Sequence, residues 1–370
     1  MRLGPFTSAL LLVLALGACS SADQAGDPAP ADAGVASDAG GQAQWVAVGY
    51  SDEGAMIVSS DDGSAWSEAS LDGSGLDPSG VFLRGVAAFD GTWIAAGDDD
   101  EGGAGAVFLR SDDGQQWTAT SLGADAGLPS RVESVDSDPT LGFVVTVRDG
   151  EAGSFAFTTW TSTDGQTWVP AAIPPGVDTA TVYHHSGIWI SGSSDESCSD
   201  QINLADGGEW IADPFCEGEL RAAARGPGNR WVLAGATPDG NDGLAMTSTD
   251  GVNWDTVDYP FEDPGVSVAA DDEQWAITGV GELIEEDLSC CAGIWVSTDG
   301  LTWRRVNAPY VAELSSVAEA NGTWVAVGWD APDGGDSVPV AMSSTDGETW
   351  TRSEVPAAVE LAAVAVAGGA

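Results

Sequence analysis

Three sets of side chains have types and spacings that can do chemistry. Seven aspartates, Asp62, Asp113, Asp164, Asp206, Asp250, Asp299 and Asp346, each precede a tryptophan by four residues. Carboxylates can transfer protons, hold hard cations, or accept backbone hydrogen bonds in turns. Arg84, Arg131 and Arg221 supply guanidinium forks of the kind that grip an anion. Tyr50, Trp329 and Tyr310 supply aromatic faces of the kind that stack on sugars or peptides. The aspartates are the least suited to a shared reaction, because near-copies spread around a repeat array cannot meet on one substrate. A turn, by contrast, is needed once per repeat.

The elements that position these residues follow from the repeat. "SDDGSAW" (60–66), "SDDGQQW" (111–117), "STDGQTW" (162–168), "STDGVNW" (248–254), "STDGLTW" (297–303) and "STDGETW" (344–350) are one motif, and "LADGGEW" (204–210) is a worn copy. The box tryptophans are spaced by about 47 residues on average, a period characteristic of propellers and arrays. A second motif keeps the same beat: "WVAVG" (45–49), "WIAAG" (93–97), "FVVTV" (143–147), "WISGS" (189–193), "WVLAG" (231–235), "WAITG" (275–279) and "WVAVG" (324–328). These are short β-branched strands. Each is preceded by another strand across a tight turn such as "DGT" (90–92) or "NGT" (321–323). A third strand leads into each box and a fourth leaves it. The first repeat lacks its first strand, and "ELAAVAVAGGA" (360–370) matches one. The pattern predicts an all-β chain: a single seven-bladed β-propeller of four-stranded blades over 44–370. The C-terminal strand joins blade 1, closing the ring and removing its exposed edges.

The boxes resemble the Asp-box (BNR) repeat of sialidases, sortilin-type receptors and related propellers, in a variant one residue shorter between Asp and Trp. The resemblance covers all seven repeats and implies that each box is the turn between third and fourth strands. The seven box aspartates are then structural: Asp164 accepts backbone N–H bonds, Gly165 takes φ > 0, and Trp168 packs between sheets. Of the sixteen tryptophans, Trp329 alone has no place in this scheme; Trp160 and Trp295 fall at a core position two residues before a box.

The N-terminus carries a different signal. Arg2, the apolar run "ALLLVLAL" (9–16) and "LGAC" (16–19) resemble a bacterial lipoprotein signal peptide over 1–18, with Cys19 the lipidated residue. Residues 19–43 read as the lipidated cysteine and a disordered tether without large apolar side chains. This places the domain in the bacterial cell envelope, extracytoplasmic, and at the outer membrane if the host has one. The formal charge of −47, with eleven Arg and no Lys, disfavours nucleic acid and anionic lipid headgroups as partners. An exported chain permits disulfides. Cys198 and Cys216 both fall on one face and are expected to pair, leaving Cys290 and Cys291 as a vicinal disulfide or free thiols.

The face opposite the boxes carries the irregular segments 98–105, 192–201, 279–291 and 329–338, with the crossings 119–130 and 257–265. Binding is expected there, on loops over a rigid scaffold. Tyr50 and Trp329 each lie five residues after a strand tryptophan, in blades that ring closure makes neighbours, with Tyr310 in a nearby crossing. Arg84, Arg131 and Arg221 stand near the starts of innermost strands. Sialidases use three arginines around a carboxylate, but this chain has no Phe-Arg-Ile-Pro motif. The acidic loops 98–101, 195–200 and 285–288 lack EF-hand spacing and read as solvated surface. His184 and His185 fall near the box face and form no Cys/His zinc pattern. No metal and no cofactor is expected, and no nucleophile–base constellation is legible.

The expected function is a non-enzymatic, membrane-anchored binding or scaffold module for glycan or protein, monomeric in its closed ring. One alternative is a glycoside hydrolase or lyase of the sialidase-like superfamily, which needs two carboxylates facing each other across a cleft. Another is an envelope assembly factor, which needs an apolar patch.

Overall fold

The computed structural model describes residues 45–99, 105–122, 131–149, 156–171, 181–185, 188–192, 201–204, 211–212, 219–237, 242–257, 265–279, 292–306, 308–309, 311–332, 335–356 and 360–367. Strands alternate with turns throughout. They are β1 (Trp45–Ser51), β2 (Gly54–Ser60), β3 (Ser67–Glu68), β4 (Val81–Phe89), β5 (Thr92–Asp99), β6 (Ala106–Ser111), β7 (Thr118–Thr120), β8 (Arg131–Asp138), β9 (Gly142–Asp149), β10 (Ala156–Ser162) and β11 (Val169–Pro170). Next come β12 (Thr181–His185), β13 (Ile188–Gly192), β14 (Gln201–Leu204), β15 (Ile211–Ala212), β16 (Glu219–Arg225), β17 (Trp231–Ala236), β18 (Gly243–Ser248) and β19 (Asp255–Thr256). The last are β20 (Gly265–Ala270), β21 (Trp275–Gly279), β22 (Ile294–Ser297), β23 (Arg304–Arg305), β24 (Glu313–Ala320), β25 (Thr323–Asp330), β26 (Val338–Ser344), β27 (Thr351–Ser353) and β28 (Glu360–Val366). No helix among the described residues is long and apolar enough to cross a membrane.

Consecutive strands pair antiparallel into four-stranded sheets, and the first sheet has the order β28-β1-β2-β3. The C-terminal strand therefore completes the N-terminal sheet, with Trp45 opposite Val366 and Tyr50 opposite Glu360. The first strands β4, β8, β12, β16, β20, β24 and β28 contact one another in that order, and β28 returns to β4. This is a β-propeller with the first strands innermost.

The expectation of seven alike blades is corrected to six. Strand pairing groups the chain into seven sheets. Six of them share one build: an inner strand with a register shift near its start, and a Ser–Asp box turn ahead of the outermost strand. The fourth sheet, β12–β15, is paired in backbone from Thr181 to Ala212. Its described pairing stops at Thr181–Gly192, short of where the shift falls elsewhere, and its worn box with Asp206 and Trp210 lies outside the described residues.

The local chemistry explains the common build. In the box, Ser162 Oγ accepts from the N–H of Gly165 (2.9 Å), while Asp164 Oδ1 accepts from the N–H groups of Gln166 (2.8 Å) and Thr167 (2.7 Å). Gly165 has φ 66°, which glycine adopts without a Cβ penalty. The tight hairpins also match their sequence: Asp90–Gly91 and Asn321–Gly322 both take positive φ at two successive residues, as a type I′ turn requires. The strand tryptophans Trp45, Trp93, Trp275 and Trp324 are fully buried, and box tryptophans such as Trp117 and Trp350 nearly so. Each removes roughly 150–250 Å² from water. Trp160 is core as expected, whereas Trp295 is only partly buried, with Arg305 over its ring.

Blades are also latched side to side. Arg110 Nε donates to the carbonyl of Asp164 in the next blade's box (3.0 Å), and Gln274 Nε2 donates to the carbonyl of Asp346 (2.8 Å). Along the channel, Ser316 Oγ accepts from the N–H of Val364 and Ser267 Oγ from that of Val317. These hydroxyls pair N–H groups that the free inner edge of each blade would otherwise leave open.

Candidate functional site

The register shift on the inner strands builds one rim of the channel. Each shift leaves one extra residue unpaired: Ala362 in β28, Arg84 in β4, Glu133 in β8, Arg221 in β16, Val266 in β20 and Ser315 in β24. A β-bulge of this kind bends the strand and re-aims side chains. It also explains the glycine that ends "WVAVG" and "WIAAG". A Cβ on Gly49, Gly97 or Gly328 would come within about 2 Å of a main-chain oxygen, of Glu360, Phe82 and Glu313 respectively. The backbone passes so close that only glycine fits.

Just beyond these glycines, two aromatics and two glutamates occupy the same register position in neighbouring blades. Trp329 pairs with Glu313 across β25–β24, and Tyr50 pairs with Glu360 across β1–β28. The Trp329 indole N–H donates to Glu313 Oε2 (3.1 Å), and Ser315 Oγ donates to Glu313 Oε1 (3.2 Å). The Tyr50 hydroxyl hydrogen-bonds to the Glu360 carboxylate, and its ring lies 4.5 Å from that of Phe82 in the next blade. All four are half-buried. Burial pushes the Glu360 carboxyl above the usual range and the Glu313 charge adds to this, against the opposing pull of Tyr50 and Arg84. Burial and the Glu360 charge likewise raise the Tyr50 phenol.

The arginines lie along the same rim. Arg84 gives its fork to Asp98, with Nε 2.6 Å and Nη2 2.8 Å from the two carboxylate oxygens. Asp98 is 3% exposed and also accepts from the N–H of Val132 in blade 3, so it ties two blades together. Arg131 lies 3.6 Å and Arg148 2.9 Å from Glu133 Oε1. Arg84 and Arg221 are equivalent bulge residues, whereas Arg131 stands two residues before the bulge residue of its own strand. Each described arginine of the expected triad thus has its own place on the mouth, and two of the three face a carboxylate of their own blade.

Sequence reasoning named Tyr50 and Trp329 but missed Glu313 and Glu360. The signal was present: each is the first residue of its inner strand, paired with the aromatic at the end of the second-strand motif. The other expected residues fall elsewhere. Cys19, Cys198, Cys216, Cys290, Cys291, Tyr310 and Asp206 lie outside the described residues. The six described box aspartates sit in turns, where backbone N–H groups hold Asp164 and Asp346 down to about 2. No group of three or more metal-ligating side chains occurs among the described residues.

The class defined here is an all-β propeller with a polar, aromatic-lined channel mouth. No family model and no curated protein matches the chain. Among solved structures it is similar to virginiamycin B lyase from Staphylococcus aureus, at 12% identity and TM-score 0.48, over 74% of this chain and 84% of that one. A catalytically inactive variant of that lyase with quinupristin gives 13% identity and TM-score 0.49, over 75% and 86%. A nidogen/laminin complex gives 9% identity and TM-score 0.45, over 88% and 98%.

Proposed function

We propose that this chain is a lipid-anchored, extracytoplasmic binding module of the Asp-box type, which takes a glycan or protein ligand at the channel mouth. The observation that carries this reading is the matched pairing of Glu313 with Trp329 and of Glu360 with Tyr50 in adjacent blades. Each carboxylate fixes the polar tip of its aromatic, so both rings are held in place before any ligand arrives. Pre-ordered aromatics lose little entropy on binding.

A test is an array of glycans and immobilised proteins probed with the full chain and with Trp329→Ala and Tyr50→Ala. Binding to a glycan or a protein that falls at least tenfold in both variants is expected. Binding unchanged in both removes the site. A second reading, glycoside hydrolysis or elimination, draws on the electrostatic coupling of Glu313 and Glu360. Two neighbouring carboxyls, one of them raised by burial as Glu360 is, are what such chemistry needs. Cleavage of an arrayed glycan that is lost in Glu360→Gln would favour it over simple binding.

A further inference from the structure

We propose that the group recognised at this mouth is an organic cation, an ammonium or guanidinium carried by a polyamine or by a basic protein segment, seated between Glu313 and Glu360 against the rings of Trp329 and Tyr50. The inference rests on the binding reading above and names the chemistry of its ligand.

Four observations converge. First, the two carboxylates belong to adjacent inner strands that are joined by the Val364 N–H to Ser316 bond, and the Glu313 charge acts on Glu360. Second, their acceptor capacity is not used up. Glu313 accepts from Trp329 and Ser315, and Glu360 from Tyr50. A carboxylate pair has about eight lone-pair sites between them. Third, the nearest guanidinium is already committed. Arg84 is close enough to favour the Glu360 charge, but its fork is taken by Asp98 at 2.6 and 2.8 Å. Fourth, the remaining wall is aromatic. A cation over an indole or phenol face gains from the ring quadrupole, and the gain is larger where water is partly excluded.

A neutral sugar would gain the stacking but would leave the two like charges uncompensated. An anion would meet the same pair and be repelled. A cation alone relieves the repulsion and uses both rings. The formal charge of −47 strengthens the field that draws cations to the surface generally, so the site must be separated from that background.

The experiment is isothermal titration of the full chain with spermidine, with a tetra-arginine peptide, with neutral chitotetraose and with tetragalacturonate, at low and moderate salt. The variants are Glu313→Gln/Glu360→Gln and Trp329→Ala. Asp271→Asn/Asp272→Asn, on the hairpin of the box face, is the control for non-specific charge. We expect saturable binding of at least one cationic probe, weakened tenfold or more in the double glutamine variant and in Trp329→Ala but under twofold in the control. Tighter binding of spermidine assigns a free polyamine, and tighter binding of the peptide assigns a basic segment. Chitotetraose or tetragalacturonate binding that needs Trp329 but survives the glutamine changes keeps the site and overturns the cation. Equal weakening in the control variant overturns it as well. No binding of any probe removes both the cation and the site.

Discussion

His184 joins the fourth sheet to blade 3 through a buried ion pair with Asp136. Its Nδ1 lies 3.1 Å from Asp136 Oδ2, and its Nε2 lies 3.5 Å from Asp138 Oδ2, both on β8. The side chain is wholly buried, and its ring meets Trp189 edge-on at 4.9 Å. Burial alone would lower its pKa. The two carboxylates outweigh that and raise it to about 9.

The sign of the pH dependence follows. A histidine whose folded pKa is raised contributes stability that is fully present below its unfolded value of about 6.5 and is lost as pH rises through about 9. Urea unfolding between pH 6 and 10 should show this loss in the wild-type chain. His184→Ala should cost about 3–5 kcal/mol at pH 7, because it strands two carboxylates beside a buried gap. It should also flatten the alkaline limb. An unchanged alkaline limb in the variant would remove His184 as its cause.

The acid limb belongs to the boxes. Asp164 and Asp346 are held near 2 by backbone N–H donors, and Asp62, Asp113, Asp250 and Asp299 are lowered in the same way. Depressed carboxyls contribute stability above about pH 4 that is lost as pH falls through their folded values. Circular dichroism from pH 5 to 1.5 should show a transition in that range. Asp164→Asn keeps one acceptor oxygen and should cost less than Asp164→Ala, which should lose about 1 kcal/mol.

The bulge glycines make a sharper prediction. Gly328→Ala would place a carbon about 2.0 Å from the Glu313 carbonyl oxygen, so β24 must shift. Destabilisation of about 1–3 kcal/mol is expected from the overpacking. The same change displaces Glu313 from Trp329, so ligand binding should fall together with the melting temperature. Gly322→Ala meets no atom within 4 Å and acts only through its φ of 77°. It should lose stability without touching the mouth.

The blade latches are weaker. Arg110→Ala removes the bond to the Asp164 carbonyl and should cost about 1 kcal/mol in thermal unfolding. Gln274→Ala should behave alike at the Asp346 carbonyl, and the two should add, since they lie in different blades.

Much of this was legible in the sequence because the repeat states its own chemistry. Ser162, Asp164, Gly165 and Trp168 specify a turn by type alone, and Asn321–Gly322 specifies a hairpin. The closing strand could be read because 360–366 matches the missing first strand of repeat one. The bulge could not be read. It is one extra residue in a strand whose alternation is already broken by serines and alanines, and the glycine that accompanies it reads as an ordinary strand stop. Glu313 and Glu360 were hidden for a related reason. Among 58 acidic residues, only the cross-strand register singles them out. His184 was invisible as a partner of Asp136, because the two meet across blades and 48 residues of chain.

The pairing of Trp45 with Val366 ties the order of synthesis to the hazard of misassembly. Among the described strands β1 is made first, and its inner edge is covered by β28, which is made last. Until β28 is made, the inward-facing hydrogen-bonding groups of 45–50 have no native partner. An unpaired edge of buried, β-branched residues is a template for another chain's strand. The molecule is therefore most exposed to misassociation in the interval before β28 is made, and slow translation of that strand would lengthen the interval.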